Sequence, residues 1–451
     1  MPGRAARRRR HAAGRSGADP RAAGGGRADV VAFAGPLPPT PSGIATYDRA
    51  VLEGLRRIGF ADRVPVEPIW PVEPRHHASI RTYRLGVYQL GNNVEHHLDV
   101  YRLAWAFPGL VVLHDLAMDD FVRGLQGSGD RLGFVAMREA LAAARRLRAS
   151  GLEVDRPLRL PWSAAIARHA RGIVVHSTFA RRYLEAFGCR TPVFVVPHPP
   201  PERPDAARAA EVRAGGIRAA AEARGARTLV VAAGDLNEAK RLDAVAAAVG
   251  RLGPHVHLAV VGRRVATFDP VPELREAGLG SRLTLHADVS DGDFLAWLSA
   301  ADVVVDLRFP HRGEVSGTLA RAMQLGRATV VSATGSYLDE PAGTLAGVAP
   351  GPPDVEELAR RLRDLDEDPA RRASIGRAAR EHAARLAADE ATARGYAEAI
   401  EATAAVVHDP VGAPMARWAR ALVELGVTEE QVAAGWGLRY ARALEDLTRG
   451  P

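Results

Sequence analysis

Short apolar runs alternate along the chain with stretches whose apolar residues recur at helical spacing. In the first half, Val30–Ala34, Arg84–Leu90, Leu110–His114, Gly172–His176 and Val193–Pro197 read as strands of the kind buried on both faces of a parallel sheet. A helix is expected from about Ile44 to Ile58, with Val51, Leu52 and Leu55 on its apolar face. The stretch 198–227 is Pro-rich and then Ala/Arg-rich, and is expected to be an interdomain linker with a helical piece. The pattern then restarts: a strand at Leu229–Ala233, a Gly-Asp-Leu-Asn turn and an amphipathic helix. Strands follow at His257–Gly262, Leu283–His286, Asp302–Leu307 and Arg327–Ser332, with a helix over Asp291–Ala300. Residues 354–407 read as mostly helical, and 408–451 as a helical tail with amphipathic pieces around Trp418, Trp436 and Tyr440. The fold class is α/β, with doubly wound parallel sheets in two domains, 28–197 and 228–384. Such sheets gather functional groups at the carboxyl ends of their strands.

Composition narrows the picture. At 451 residues the chain holds two ordinary domains and tails, and 47% hydrophobic with 6% aromatic residues suits an α/β protein built on Ala, Val and Leu. A single cysteine, Cys189, rules out a disulfide within the chain and argues against a cysteine-based zinc site. No apolar run reaches the roughly 18 to 20 residues that span a bilayer. Residues 1–27 hold eight arginines against one aspartate, so the whole formal charge of +7 lies there and residues 28–451 sum to zero. That Arg/Gly/Ala tail has no apolar pattern and is expected to be disordered. RNA or anionic lipid contact, a transit peptide and a plain unstructured start all stay open for it. No specific nucleic acid is expected as a partner of the folded part.

Candidate chemistry clusters at loop-to-helix junctions. Lys240 is the chain's only lysine among 60 Lys+Arg residues, and follows Gly234 by six positions at a strand-to-helix junction. An ammonium there suits an oxyanion; a codon survivor on a solvated helix end is the alternative. The Pro/Gly/Ser loop ending at Ser42-Gly43 could present backbone N–H groups to a phosphate or sugar, or merely open a helix; GxGxxG is missing. His114 and Asp115 close a very apolar strand, a place for side chains facing a cleft, although a packed histidine bonded to backbone would look the same. Glu314 precedes a helix entry at Val315–Thr318, where Ser316 and Thr318 are possible caps and the free N–H groups suit a pyrophosphate or sugar hydroxyls. His96, His97, His176 and His198 show no metal-ligand spacing. The Arg-bearing amphipathic segment Arg138–Ser150 suits either an anionic lipid surface or solvent.

Taken in order, PPTPSGIATYDRAVLEGL, LHDLAMDDF, IVVHSTFARRYL, VFVVPHP, GDLNEAKRLD and DLRFPHRGEVSGTLARAMQLGRATVVSATGSYLDEP resemble the family 4 retaining glycosyltransferases, from about Ala28 to about Ala405. The resemblance implies a GT-B fold: two Rossmann-like domains across a cleft, the second holding a nucleotide-sugar donor. It implies sugar transfer with retention and neither metal nor other cofactor, and a helix over 385–407 is expected to cross back to the first domain. By resemblance Lys240 contacts the donor diphosphate, Gly43 approaches it from the other domain, and His114 lies by the transferred sugar. The Glu314–Thr318 loop, with Ser316 and Gly317, contacts sugar and diphosphate. Two departures stand out. The family's arginine after the glycine is Asp235 here, so a second cation must come from Arg241, Arg263 or Arg308. The family's two glutamates spaced eight apart are replaced by Gly313 and Arg321, which leaves the nucleotide open. Arg308–Gly317 fits a branch with R-x-P-x-x-G-E-x-S-G residue for residue.

The expected activity is therefore transfer from a nucleotide-sugar to a glycan, glycolipid or secondary-metabolite acceptor. His114 and Glu314 are the catalytic candidates, and Gly43, Lys240, Arg241, Arg308, Ser316, Gly317 and Thr318 the donor-binding ones. The expected location is cytoplasmic, with peripheral contact at the inner membrane face left open. Two rivals remain: a GT-B sugar-nucleotide epimerase, for which no suitable carboxylate and histidine set is seen, and a non-catalytic glycan- or RNA-binding protein on the same scaffold.

Overall fold

The computed structural model describes residues 27–40, 42–198, 204–388 and 390–406. The Arg-rich tail up to residue 26 and the expected helical pieces at 408–451 lie outside the described residues. Two six-stranded, all-parallel sheets form the frame. The first contains β1 (Val31–Ala34), β2 (Val66–Ile69), β3 (Leu85–Leu90), β4 (Leu110–Leu113), β5 (Gly172–Val175) and β6 (Val193–Val195), in spatial order β2-β1-β3-β4-β5-β6. The second contains β7 (Thr228–Ala233), β8 (Val256–Gly262), β9 (Leu283–Ala287), β10 (Val303–Asp306), β11 (Ala328–Ser332) and β12 (Ala346–Val348), ordered β12-β11-β10-β7-β8-β9. Counted from β7, that is the dinucleotide-fold order with its reversal between β7 and β10; the first sheet reverses at β1 and β3. Every residue of β1, β3, β4, β5, β7 and β8 is buried, which is why these strands read as unbroken apolar runs.

β2 and β12 were not expected. β2 is an edge strand carrying Pro68, half open to solvent, and β12 is only Ala-Gly-Val; neither presents an apolar run.

Helices clothe both sheets. α1 (Gly43–Arg57) is N-capped by Ser42, whose Oγ accepts from Ile44 N, and it buries Tyr47, Val51 and Leu55. α2 (Arg131–Ser150) and α3 (Thr178–Ala186) belong to the first domain. α4 (Pro204–Glu222) is a helix within the stretch 198–227, where a linker with a helical piece was expected. Its Ala210, Ala214 and Ala221 are buried in one cluster with Leu295 and Leu298 of α5 (Asp291–Ala300), so most of that stretch belongs to the second domain. Alanine at these positions lets two helices approach closely but gives little hydrophobic contrast in sequence. α6 (Gly317–Gln324) packs beside α7 (Pro369–Ala388), also in the second domain. The chain then turns, and α8 (Ala391–Ala405) lies on α1 and β3–β6 of the first domain, burying Tyr396, Ala399 and Ile400.

Candidate functional site

The carboxyl ends of β7 and β10 meet at the reversal point of the second sheet, and a buried polar network is built there. β7 ends at Ala233; Gly234 follows with φ +122°, and a Cβ on it would stand 2.9 Å from both Lys240 Nζ and Thr318 Oγ1, so only glycine lets the turn close. The turn runs through Glu238–Lys240, capped by Asn237, and lays the Lys240 side chain back across the strand end. Lys240 is only 4% exposed, and its Nζ donates to Oδ1 of the fully buried Asp306 at 2.5 Å. Oδ2 of Asp306 accepts from Ser316 Oγ at 2.5 Å and Tyr337 OH at 2.9 Å. Ser316 also caps α6, accepting from Leu319 N at 3.2 Å. Burial pulls the Lys240 ammonium below the ordinary lysine range despite Asp306. Burial pushes the Asp306 carboxyl up, but Lys240 and Arg308 together hold it below the usual carboxylate value.

Arg308 and Glu314 form the second half of the network. Arg308 Nη1 donates to Glu314 Oε1 at 3.0 Å and its Nε to Tyr337 OH at 3.3 Å, while Arg312 N donates to Glu314 Oε2 at 2.9 Å. Burial works against the Glu314 carboxylate, yet Arg308 and His311 keep it below its ordinary value.

Across the cleft, His114 directly follows β4 and its Nε2 lies 2.8 Å from Gln89 Oε1. The ring meets Tyr47 edge-on at 4.6 Å and His176 at 5.1 Å. Burial first, then His176, His198 and His97, hold its imidazole well below the usual histidine range, so it is neutral. Its neighbour Asp115 accepts from Asn92 N at 2.9 Å, and burial and then Glu314 push its carboxyl up to about 6. Of these two neighbouring carboxyls, burial thus raises Asp115 while Arg308 lowers Glu314.

The domains are fastened around this site. Ala117 N donates to Arg312 O at 3.2 Å, His311 N to Asp155 at 2.6 Å and Arg312 Nη1 to Asp119 at 2.5 Å. Asp339 accepts from the N–H and hydroxyl of Thr178 at the start of α3. A cavity of about 1270 Å³ opens along the seam between the end of α2, Phe179, Arg182, His311 and Gly335.

The network thus brings Lys240, Arg308, Glu314, Ser316 and Thr318 together, with His114 opposite and Gly317 opening α6. Gly43 opens α1 with nothing within 4 Å of where a Cβ would be, which leaves room beside that helix start. Arg241 sits in left-handed backbone with φ +48° and pairs with Asp243 at 2.6 Å. Each candidate for a second cation carries an acid: Arg241 has Asp243, Arg308 has Glu314, and Arg263 pairs with Asp235 at 2.8 Å. Sequence reasoning missed Asp306, Tyr337, Gln89 and Tyr396. Asp306 alone left a trace, as the acid closing the apolar run Val303–Val305.

Two doubly wound domains with their strand ends facing one cleft define the GT-B fold. Residues 216–382 match the family described as Glycosyl transferases group 1. No curated protein matches the chain. Anabaena HepE in complex with UDP is similar in structure, at 15% identity and TM-score 0.57, over 83% of this chain and 100% of that one. Sucrose-phosphate synthase from Thermosynechococcus elongatus is similar at 18% identity and TM-score 0.55, over 82% and 98%. An α,α-trehalose-phosphate synthase (UDP-forming) from Burkholderia xenovorans in complex with glucose-6-phosphate follows at 14% and 0.51, over 83% and 99%. These likenesses establish the fold.

Proposed function

We propose that the protein is a retaining, metal-independent glycosyltransferase of the family 4 type, moving a sugar from a nucleoside diphosphate donor to a glycan, lipid-linked or small-molecule hydroxyl. The observation that carries the reading is the Lys240–Asp306–Ser316 network at the start of α6, facing His114 across the cleft. Breaking the sugar–phosphate bond leaves negative charge on the diphosphate, and the main task is to stabilise it. Asp306 aims Lys240 and, through Ser316, fixes the first turn of α6, whose free N–H groups and positive dipole end supply the rest. With each nearby arginine already paired, backbone amides carry more of this task than a cluster of free cations would. Glu314, held ionised by Arg308, takes a sugar hydroxyl, and the seam cavity receives the acceptor.

HepE is known bound to UDP and to UDP-glucose, so these are the first probes. A thermal-shift screen with UDP-, GDP-, ADP- and dTDP-glucose is expected to give a hit, because a ligand of the native state raises its melting point. Lys240→Ala alone would strand the buried Asp306 and cost about 3–5 kcal/mol of stability. The test is therefore the paired variant Lys240→Met/Asp306→Leu, which stays folded and loses most of the shift. Donor turnover should persist in EDTA, with the product anomer matching the donor by NMR. Unchanged donor binding in the paired variant rejects the diphosphate assignment, and absence of turnover across the panel favours a non-catalytic binder. Peripheral contact with an anionic membrane is part of the same reading and rests on α2, whose Phe134 and Leu141 are 77% and 53% exposed.

A further inference from the structure

Gln89 is fully buried in the middle of the first sheet, and its primary amide bridges two elements far apart in sequence. Its Oε1 lies 2.8 Å from His114 Nε2, and its Nε2 donates to Tyr396 OH of α8 at 3.4 Å. Tyr396 OH is in turn 3.0 Å from Tyr47 OH of α1, and the Tyr47 ring stands edge-on against His114 at 4.6 Å. A Cβ on Gly35 would be 2.6 Å from Gln89 Cγ, so the stem of the Gln89 side chain packs directly on the Gly35 backbone. A buried amide without partners would cost about 1–3 kcal/mol, so both of its ends need the bonds they make.

With the Gln89 carbonyl placed toward His114, this contact is a hydrogen bond when the proton of the neutral imidazole sits on Nε2. His114 Nδ1 then carries a lone pair. It has no partner among the described residues and is not sealed from solvent.

We infer that Gln89 and Tyr396 are positioning residues: they lock His114 in its Nε2–H tautomer, so that Nδ1 accepts a hydrogen bond from a hydroxyl of the transferred sugar. His114 is then an acceptor toward the sugar and not a proton donor to the leaving group. α8 reaches the site too, because its Tyr396 holds the amide from behind. The tautomer rests on the Gln89 amide orientation and the burial of His114, while the sugar contact rests on the donor reading above.

The test uses the full chain labelled with ¹⁵N-histidine, the His114 resonance being assigned by its loss in His114→Gln. Wild type should show the Nε2–H tautomer, unprotonated through neutral pH. Gln89→Leu should lose that preference and weaken UDP-glucose binding about tenfold, the size of one neutral hydrogen bond, while UDP, which lacks the sugar, binds as before. Tyr396→Phe, the gentler change, should move the same readouts in the same direction by less. Gln89→Glu, whose carboxylate still accepts from Nε2–H, should restore the tautomer and raise the His114 pKa. An Nδ1–H tautomer in wild type overturns the inference, and so does a Gln89→Leu protein with wild-type tautomer and wild-type UDP-glucose affinity. If the tautomer is as stated but neither UDP nor UDP-glucose binds, the donor reading fails and the relay stands.

Discussion

Asp48 is an unexpected residue: fully buried in α1, with neither carboxylate oxygen hydrogen-bonded among the described residues. Burial pushes its carboxyl well above the usual value, so the folded state holds a proton that the unfolded chain releases near 3.8. The sign follows from linkage. Below that pH both states are protonated and Asp48 costs nothing through ionisation; above it the unfolded state sheds the proton first, and stability falls as pH rises. Asp48→Asn removes this dependence. Thermal melts should show little gain at pH 4 and a gain at pH 8, growing by up to about 1.4 kcal/mol per pH unit between the two pKa values. An equal effect at both values would mean that the carboxyl is not the titrating group. Residues of this kind were beyond reach in sequence, because their meaning lies in partners brought from afar. Lys240 stood out as the only lysine, yet Asp306, which defines its environment, is 66 positions away, and Gln89 meets Tyr396 across 307. His114 and Glu314 were visible from their places at a strand end and a helix entry. Nothing in the sequence said that the one would be neutral and the other held ionised.

At the scale of elements, what was legible depended on hydrophobic contrast. Strands buried on both faces announced themselves, whereas β2, with Pro68 at an edge, and the alanine-faced α4 did not. α2 is the converse case, an amphipathic pattern whose polar face could be read but whose purpose could not. Its inner face is made of small residues, Gly133, Ala136, Ala140 and Ala143, and holds the helix to the domain. The outer face sets Phe134 and Leu141 on one stripe with Arg138, Arg145 and Arg148, all exposed. Large apolar side chains beside arginines suit an interface of acyl chains and anionic headgroups. Co-sedimentation with phosphatidylserine-containing vesicles should fall several-fold in Phe134→Ser/Leu141→Ser and with rising salt, and melting behaviour should stay the same. Binding that survives the double substitution would assign the stripe to solvent. The end of this helix also borders the seam cavity.

For the whole molecule, a single loop both ties the domains together and completes the site. Residues 311–314 leave β10, dock on the first domain through His311 N, Arg312 O and the Arg312 guanidinium, and place Glu314 against Arg308. Gly313 is the pivot. Its φ is +87°, which a side chain resists, and a Cβ there would lie 2.6 Å from Leu116 of the opposite domain. Gly313→Ala therefore strains the loop and wedges the domains apart at the point where Asp115 and Glu314 face one another. The strain and the push on buried Leu116 should lower the melting point by an amount corresponding to about 1–3 kcal/mol, with the chain still folded. Small-angle scattering should show a larger radius of gyration, and UDP should still bind to the second domain. Donor turnover should fall about 10²-fold, the cost of displacing positioned groups by about 1 Å. Lost UDP binding would mean instead that the loop supports the second domain by itself. Wild-type turnover would separate chemistry from closure, and Glu314 would then act without its counterpart across the cleft.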